Sequence, residues 1–174
     1  TAYFSTIIQE KLKLPQNENY YIGGLLHDIG KVLIYQFYPQ KFEEMVLLQI
    51  EDDMPDYEAE KEVLGVDHAE IGGVLAEKWK FDKDIINTIH YHHSMLPSRA
   101  NVLTAVVSIS NLFAKKAGLC FAWDDKSFDI NTFSGWKMLE EKSKSKIDVD
   151  QTVLAMIEES ENVREVVEVL LRKI

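Results

Sequence analysis

The sequence has little of what marks secreted, membrane-spanning or nucleic-acid-binding proteins. Its one cysteine, Cys120, excludes an internal disulfide and is typical of a reducing compartment. No apolar run approaches the roughly 18 residues that a transmembrane helix needs. Basic residues are in the minority, with 19 Lys and Arg against 29 Asp and Glu, and the net charge is -10. We therefore expect a cytoplasmic protein that binds neither membranes nor nucleic acid.

What the sequence does have is apolar residues at helical spacing. Its 174 residues, 46% hydrophobic and 28% charged, are typical of one globular domain. Because no stretch alternates with a period of two for long enough to make a sheet, the predicted fold class is all-α. The predicted helices cover residues 2–14, 18–27 continuing through 32–38, 40–51, 56–64, 67–79, a segment after Asp82, 98–116, 150–159 and 162–172.

Two parts of this single domain are expected. Residues 1–118 form the helical core, and residues 119–174 supply a loop and closing helices that pack on it. Thr1 opens directly on an apolar periodic segment without a preceding Met. We therefore expect that the chain enters its first helix midway and is a piece of a longer protein.

Histidine and aspartate interrupt the apolar pattern in three places. His27 and Asp28 lie inside a strongly apolar segment, and His68 lies in the first turn of a predicted helix. The other three of the five histidines stand at the end of another helix, at positions 90, 92 and 93. Side chains so far apart in sequence converge only through tertiary packing, as in the metal sites of helical bundles.

A divalent metal would explain a carboxylate inside an apolar segment. An ionised carboxylate buried alone costs several kcal/mol, which a cation held by neutral imidazoles and Asp28 would offset. Nitrogen and oxygen ligands without thiolates suit Fe, Mn, Zn, Ni, Co or Mg. Neighbouring residues on a helix point about 100° apart, so joint ligation by His27 and Asp28 requires a distorted helix end, which Gly30 would allow. The alternative is a helix-terminal or salt-bridged Asp28 with exposed or hydrogen-bonded histidines. His90 is interpreted as structural.

Four sequence segments together resemble the HDOD domain, the HD-related output domain of bacterial signalling proteins. They are GLLHDIGK at 24–31, LGVDHAEIG at 64–72, Trp79 and IHYHH at 89–93. The resemblance covers roughly residues 1–118 and implies a multi-helix bundle of the HD-domain type. The wider HD superfamily includes metal-dependent phosphohydrolases, among them the HD-GYP cyclic-dinucleotide phosphodiesterases and the hydrolases of guanosine polyphosphate alarmones.

The resemblance implies a set of ligands and two departures from the superfamily pattern. The implied metal ligands are His27, Asp28, His68, His92 and His93. Lys31 matches a phosphate contact, or is an ordinary solvated lysine. A late Asp is expected within residues 107–112, where Asn111 stands, and an amide is a weak ligand without charge. The Gly-Tyr-Pro signature is absent after His93, and the superfamily's first His would lie upstream of Thr1.

Two function classes follow. The first is a regulatory signal-transduction module with a residual metal site and no established catalytic activity. Its partners would be other signalling proteins or domains, or a second copy of the chain. They would bind the apolar face of the closing helix, unless that face packs on the chain's own core. The face comprises Val163, Val166, Val167, Leu170 and Ile174. The second is a metal-dependent phosphohydrolase of a phosphate ester or cyclic (di)nucleotide, with Asp28 and Lys31 as its catalytic residues. Because Asn111 replaces a carboxylate, we favour the first.

Overall fold

The chain folds into α-helices, and no strand occurs in the part of the chain that the structure describes. The computed structural model describes residues 1–95, 100–119, 132–143 and 146–171, without the side chains of 166–168, 170 and 171. The helices are α1 (Ala2–Lys11), α2 (Asn19–Leu26), α3 (Ile29–Phe37), α4 (Pro39–Glu51), α5 (Asp56–Leu64), α6 (His68–Lys78), α7 (Lys83–Tyr91), α8 (Val102–Lys116), α9 (Trp136–Lys142) and α10 (Val149–Leu171). The all-α prediction is confirmed.

Several helix ends lie where the sequence chemistry places them. The Asp67 carboxylate accepts a hydrogen bond from the Glu70 backbone N–H at 2.8 Å and so caps α6. Asp82 caps α7 in the same way through the Asp84 N–H at 2.8 Å. Gly65 ends α5 with a positive φ of 78°, a conformation that glycine adopts without strain.

The junction between α2 and α3 differs from the prediction. The bend was expected at Gly30, but the helix breaks at His27 and Asp28, where Asp28 has φ -99° and ψ 16°. Gly30 has another role, because a Cβ there would overlap the carbonyl oxygen of His68. The absence of a side chain therefore lets the start of α3 touch the start of α6.

The closing segment also corrects the prediction, because one continuous helix, α10, replaces the two helices expected there. Ser160 lies at the expected break. Its hydroxyl donates a hydrogen bond to the Ile157 carbonyl of the same helix at 2.6 Å, an arrangement that a serine within a helix can adopt without ending it. Val163 is buried in the core. The side chains of the other four residues of the predicted apolar face lie outside the described residues. Helix α9 occupies a stretch for which no element was predicted.

Helix α8 is the centre of the main core, and α1, α2, α7, α9 and α10 all contact it. Its residues Val106, Val107 and Ile109 are fully buried. A smaller core of Ile34, Met45 and Ala59 joins α3, α4 and α5. With α3 packed on α6, and α6 on α7, the α2–α3 junction, the start of α6 and the end of α7 meet at one place. No described helix is both long and apolar enough to cross a membrane.

Candidate metal centre

Four side chains from three helix ends form a compact cluster at this meeting place. Asp28 comes from the α2–α3 junction, His68 from the first turn of α6, and His92 and His93 from the residues that follow α7. One ligand atom of each lies within 4.8 Å of those of the others. His68 is fully buried and His92 is 4% exposed, so bulk water is largely excluded from the inner side of the cluster.

The ligand atoms are spaced like those around one metal ion. His68 Nε2 lies 2.9 Å from His93 Nε2, 3.4 Å from His92 Nε2 and 3.1 Å from Asp28 Oδ1. His92 Nε2 lies 3.5 Å from the same Asp28 oxygen. With metal–nitrogen bonds of about 2.0–2.1 Å, neighbouring ligands of four- and six-coordinate ions lie roughly 2.9–3.4 Å apart.

Hydrogen bonds at the far side of the rings determine which nitrogen faces the cluster with a lone pair. His92 Nδ1–H donates to the Ile89 carbonyl at 2.8 Å, and His68 Nδ1–H donates to Glu60 at 2.6 Å. His27 Nδ1–H similarly donates to the Gly24 carbonyl at 3.0 Å. In the neutral ring the other nitrogen is then unprotonated, which is the tautomer that a metal requires.

Two buried polar atoms at the cluster lack a hydrogen-bond partner among the described residues. They are Asp28 Oδ1 and His27 Nε2. The distance from Asp28 Oδ1 to His68 Nε2 is short enough for a hydrogen bond, but the oxygen accepts none. A buried acceptor without a donor costs about 1–3 kcal/mol, and more when it is charged. A cation would satisfy Asp28 Oδ1, so the residues present fit a divalent metal.

Without a metal, a proton on His68 offsets the negative charge of the carboxylates beside it, Asp28 and Glu60. Burial lowers the pKa of this imidazole, but the neighbouring carboxylates of Asp28 and Glu60 outweigh burial and raise it to about 9. Burial lowers the pKa of His27 to about 3, and burial together with the neighbouring His92 places that of His93 well below its usual range. At neutral pH the His68 imidazolium therefore faces the neutral ring of His93, and its Nε2–H donates to His93 Nε2 at 2.9 Å.

Beside the cluster lies a second charged group, which contains Lys31. Its Nζ contacts Asp56 Oδ2 at 2.6 Å and Asp28 Oδ2 at 3.2 Å, and Lys115 Nζ approaches the same Asp56 oxygen at 3.6 Å. Burial raises the pKa of Asp56, and the two lysines outweigh it and hold that pKa well below its usual range. Lys31 is thus a half-buried, ion-paired residue, and the alternative of an ordinary solvated lysine was wrong.

Three residues around the cluster were not predicted from the sequence: Glu60, Asp56 and Lys115. Asp56 and Glu60 stand with Ala59 on one face of α5, at the i, i+3, i+4 spacing of a buried stripe, and all three are buried. Two acids on the apolar stripe of an amphipathic helix were the signal that could have found them. No comparable signal marks Lys115, because a lysine in the last turn of a helix is common.

The remaining predicted residues lie around the cluster. His27 is not among the four, although its Nε2 lies 3.3 Å from Asp28 Oδ2 and its ring stands edge-on to His92 at 5.0 Å. The Asn111 amide oxygen accepts the Thr1 hydroxyl at 3.2 Å, and Asn111 lines a cavity of about 280 Å³ that His92 and His93 also line. His90 packs against Gly73 and Tyr91, away from the cluster.

The fold and the cluster define an all-helical protein with a histidine–aspartate centre. The HDOD domain model matches residues 1–95, which is more than half of the chain, and the chain belongs to the HDOD family. This confirms the family that the sequence motifs indicated.

Known proteins resemble the chain over about half or about nine tenths of its length. An uncharacterized protein of Treponema pallidum (strain Nichols) is 34% identical over 94 residues, which are 53% of this chain and 18% of that protein. The crystal structure of an HDOD domain protein of unknown function from Geobacter sulfurreducens matches with a TM-score of 0.80 at 25% identity, over 91% of this chain and 55% of that one. A Shewanella amazonensis SB2B protein, provisionally described as a phosphohydrolase, shares the fold with a TM-score of 0.63 at 21% identity, over 90% of this chain and 55% of that one. The chain therefore spans about half the length of these solved proteins and less than a fifth of the curated one.

Proposed function

We propose that this chain is a metal-binding regulatory domain of a signalling protein, which holds one divalent cation through Asp28, His68, His92 and His93. The observation that carries the proposal is the group of three imidazole Nε2 atoms and one carboxylate oxygen, 2.9–3.5 Å apart where measured. Three imidazoles favour Zn, Fe, Mn, Co or Ni over Mg. When bound, such a metal acts as a Lewis acid and lowers the pKa of bound water.

The regulatory interpretation rests on how the ligands are distributed. They come from the α2–α3 junction, α6 and α7, so binding would tie together segments that meet only in the folded state. A ligand that binds only this arrangement stabilises it by mass action. Other signalling domains or a second copy of the chain would sense the change. Asn111 supplies no carboxylate beside the cluster and is engaged by Thr1, which favours regulation over hydrolysis.

Metal content tests the binding. After purification without chelator, we expect about one equivalent of a first-row transition metal in the parent and a large loss in His92→Gln. The matched control is His90→Gln, because His90 stands two residues away and faces Gly73. Metal-free parent protein that also fails to take up added Zn²⁺ or Mn²⁺ would refute the proposal, as would equal loss in both variants.

A metal-dependent phosphohydrolase is the second candidate function. It is favoured by Lys31, whose ammonium lies 3.2 Å from Asp28 at the edge of the cluster, and by the cavity that His92 and His93 line. The metal-loaded protein should be assayed with p-nitrophenyl phosphate and bis(p-nitrophenyl) phosphate. We expect no turnover above the protein-free rate, and turnover that Asp28→Asn abolishes would favour the enzyme.

A further inference from the structure

The two carboxylate oxygens of Asp28 have different surroundings. Oδ1 lies 3.1 Å from His68 Nε2, within the cluster, and accepts no hydrogen bond from the described residues. Oδ2 lies 3.2 Å from the Lys31 ammonium and 3.3 Å from His27 Nε2. One oxygen is therefore available to a metal in the cluster, while the other already has a cation beside it.

The fold holds Lys31 in this place. The residue stands in the first turn of α3, and its backbone N–H donates to the Asp28 carbonyl at 2.9 Å. Its ammonium also donates to Asp56 Oδ2 of α5 at 2.6 Å, and the Asp56 side chain is buried. Charge-assisted hydrogen bonds of this kind are among the stronger ones in proteins. An ammonium that bonds two carboxylates, one of them buried, is therefore a fixed partner of Asp28 Oδ2.

This ammonium limits how Asp28 can bind a metal. A carboxylate ligates a cation either through one oxygen or through both. A divalent cation that used both oxygens would lie close to the Lys31 ammonium, and the repulsion between the two positive charges opposes that arrangement. Ligation through Oδ1 alone avoids the repulsion. The three imidazoles of the cluster then complete a set of four protein ligands.

Four ligands of this kind suit zinc better than manganese. Zinc is commonly bound by four ligands in a tetrahedral arrangement, and imidazole nitrogens suit it well. Manganese prefers carboxylate, carbonyl and water oxygens in an octahedral arrangement. The loss of one carboxylate oxygen therefore lowers the affinity for manganese more than the affinity for zinc.

We propose that Lys31 is a positioning residue, which keeps Asp28 as a single-oxygen ligand and thereby makes the centre selective for zinc over manganese. The inference rests on the proposed function, because it specifies which metal the regulatory domain senses. Lys31 does not bind the metal itself. It acts through Asp28, and Asp56 holds it in place.

A double variant that combines Lys31→Met with Asp56→Asn tests the proposal. It removes the ammonium together with its buried partner, so Asp56 is not left as a buried charge and the sum of the two charges is unchanged. Chelator competition measures the affinities for zinc and for manganese. We expect the ratio of zinc affinity to manganese affinity to fall by about tenfold to hundredfold. Lys31→Met alone, in which Lys115 remains beside Asp56, should change the ratio in the same direction.

A matched control comes from an exposed lysine at the same spacing. Lys41 contacts Glu44 at 2.9 Å, also three residues away along the chain, and both side chains are about half exposed. Lys41→Met removes the same charge and leaves Asp28 untouched. The ratio of the two affinities should therefore stay at the parent value.

Bound Co²⁺ supplies a spectroscopic readout that a purely structural role of Lys31 would not change. The visible absorption of Co²⁺ weakens as its coordination number rises from four to five or six. We expect intense bands from the cobalt-loaded parent and weaker bands from the double variant, in which both Asp28 oxygens can bind. Lys31→Arg keeps a cation beside Asp28 and should retain the parent spectrum.

The outcomes separate this proposal from the metal proposal. A parent that takes up no metal refutes the proposed function, and this inference with it. A parent that binds zinc, with a double variant that keeps both the cobalt spectrum and the ratio of affinities, overturns the role of Lys31 and leaves the metal centre standing. A double variant that loses zinc, manganese and cobalt to the same extent also overturns it, because Lys31 and Asp56 would then support the fold without selecting the metal.

Discussion

At the scale of single residues, Glu60 organises the proposed metal centre although it does not face it. Its Oε2 accepts both the His68 backbone N–H and the His68 Nδ1–H, each at 2.6 Å. This pair fixes the ring orientation and the tautomer, and a carboxylate behind a histidine makes the ring a more basic ligand. Glu60 is 4% exposed, so water cannot readily substitute for it.

Replacing this carboxylate should therefore weaken metal binding without removing a ligand. We expect Glu60→Gln to lower zinc affinity by about tenfold to hundredfold, measured by competition with a chromophoric chelator. Glu62→Gln, on an exposed position of the same helix, should leave it unchanged. An affinity that Glu60→Gln does not alter would show that His68 is oriented by packing alone.

The histidines also predict how the stability of the metal-free protein depends on pH. His68, with its pKa raised from 6.5 to about 9, contributes stability that is fully present below pH 6.5 and is lost as the pH rises through 9. The full effect is on the order of 3 kcal/mol. His27 and His93 act in the opposite direction, because their pKa values are lowered, so stability also falls as the pH drops below 6.5.

Denaturant unfolding with chelator present, from pH 5 to pH 9.5, measures this profile. The free energy of unfolding should be highest near pH 6.5. Glu60→Gln should flatten the alkaline side, because it removes one of the two partners that raise the pKa of His68. A stability that increases steadily from pH 6.5 to pH 9.5 would contradict the assignment of a proton to His68.

Residue identity could be predicted for the histidines and Asp28 but not for their supporting partners. Imidazoles and a carboxylate within apolar segments contradict the local pattern, so sequence alone draws attention to them. Asp56 and Glu60 lie on an acidic helix, where most acids are exposed. Their spacing with Ala59 is the one sequence signal that points to them, and the packing of α5 shows that they are buried. Their partners Lys31 and Lys115 come from helices far away in the sequence, which no local pattern can pair.

At the scale of helices, the start of α6 links local capping to the candidate site. Asp67 caps the helix through the Glu70 N–H, and His68 is the next residue along the chain. Asp67 also contacts the Lys61 ammonium at 2.8 Å, but that lysine is half exposed and contributes little. The cap therefore fixes the backbone from which His68 projects.

Two capping residues give a matched comparison. Asp67→Ala and Asp82→Ala should each lower the free energy of unfolding by about 1 kcal/mol, because each leaves a helix N–H without its acceptor. Only Asp67→Ala should also weaken zinc binding, because Asp67 adjoins the ligand His68. Asp82 caps the first turn of α7, whereas His92 follows the last turn of that helix. Chemical denaturation and the chelator competition measure the two effects. If both variants bind zinc like the parent, the cap does not position His68.

Helix positions were largely predictable because caps and periodicity are local. Two of the failures, at the α2–α3 junction and in α10, had causes beyond the local pattern. The α2–α3 break falls at His27 and Asp28 rather than at Gly30. A side chain at position 30 would overlap the start of α6, so the glycine there serves helix packing. In α10 the Ser160 hydroxyl donates to a carbonyl of its own helix, and Val163 continues the buried face.

At the scale of the whole molecule, packing creates the site. Residues 40 positions apart, Asp28 and His68, come within 3.1 Å because glycines let α3 and α6 approach closely. The central helix α8 holds α7 from the other side, where the Ser108 hydroxyl donates to the His92 carbonyl at 2.7 Å. The predicted ligand set contained the four residues that converge, Asp28, His68, His92 and His93, together with His27, which lies beside them. The distances and the cavity required the fold.

Anomalous diffraction from crystals of the zinc-loaded protein, recorded at the zinc absorption edge, tests the central claim most directly. The account predicts one strong peak contacted by Asp28 and by the Nε2 atoms of His68, His92 and His93. A map without a peak at this position, or with zinc held only by other residues, would contradict it.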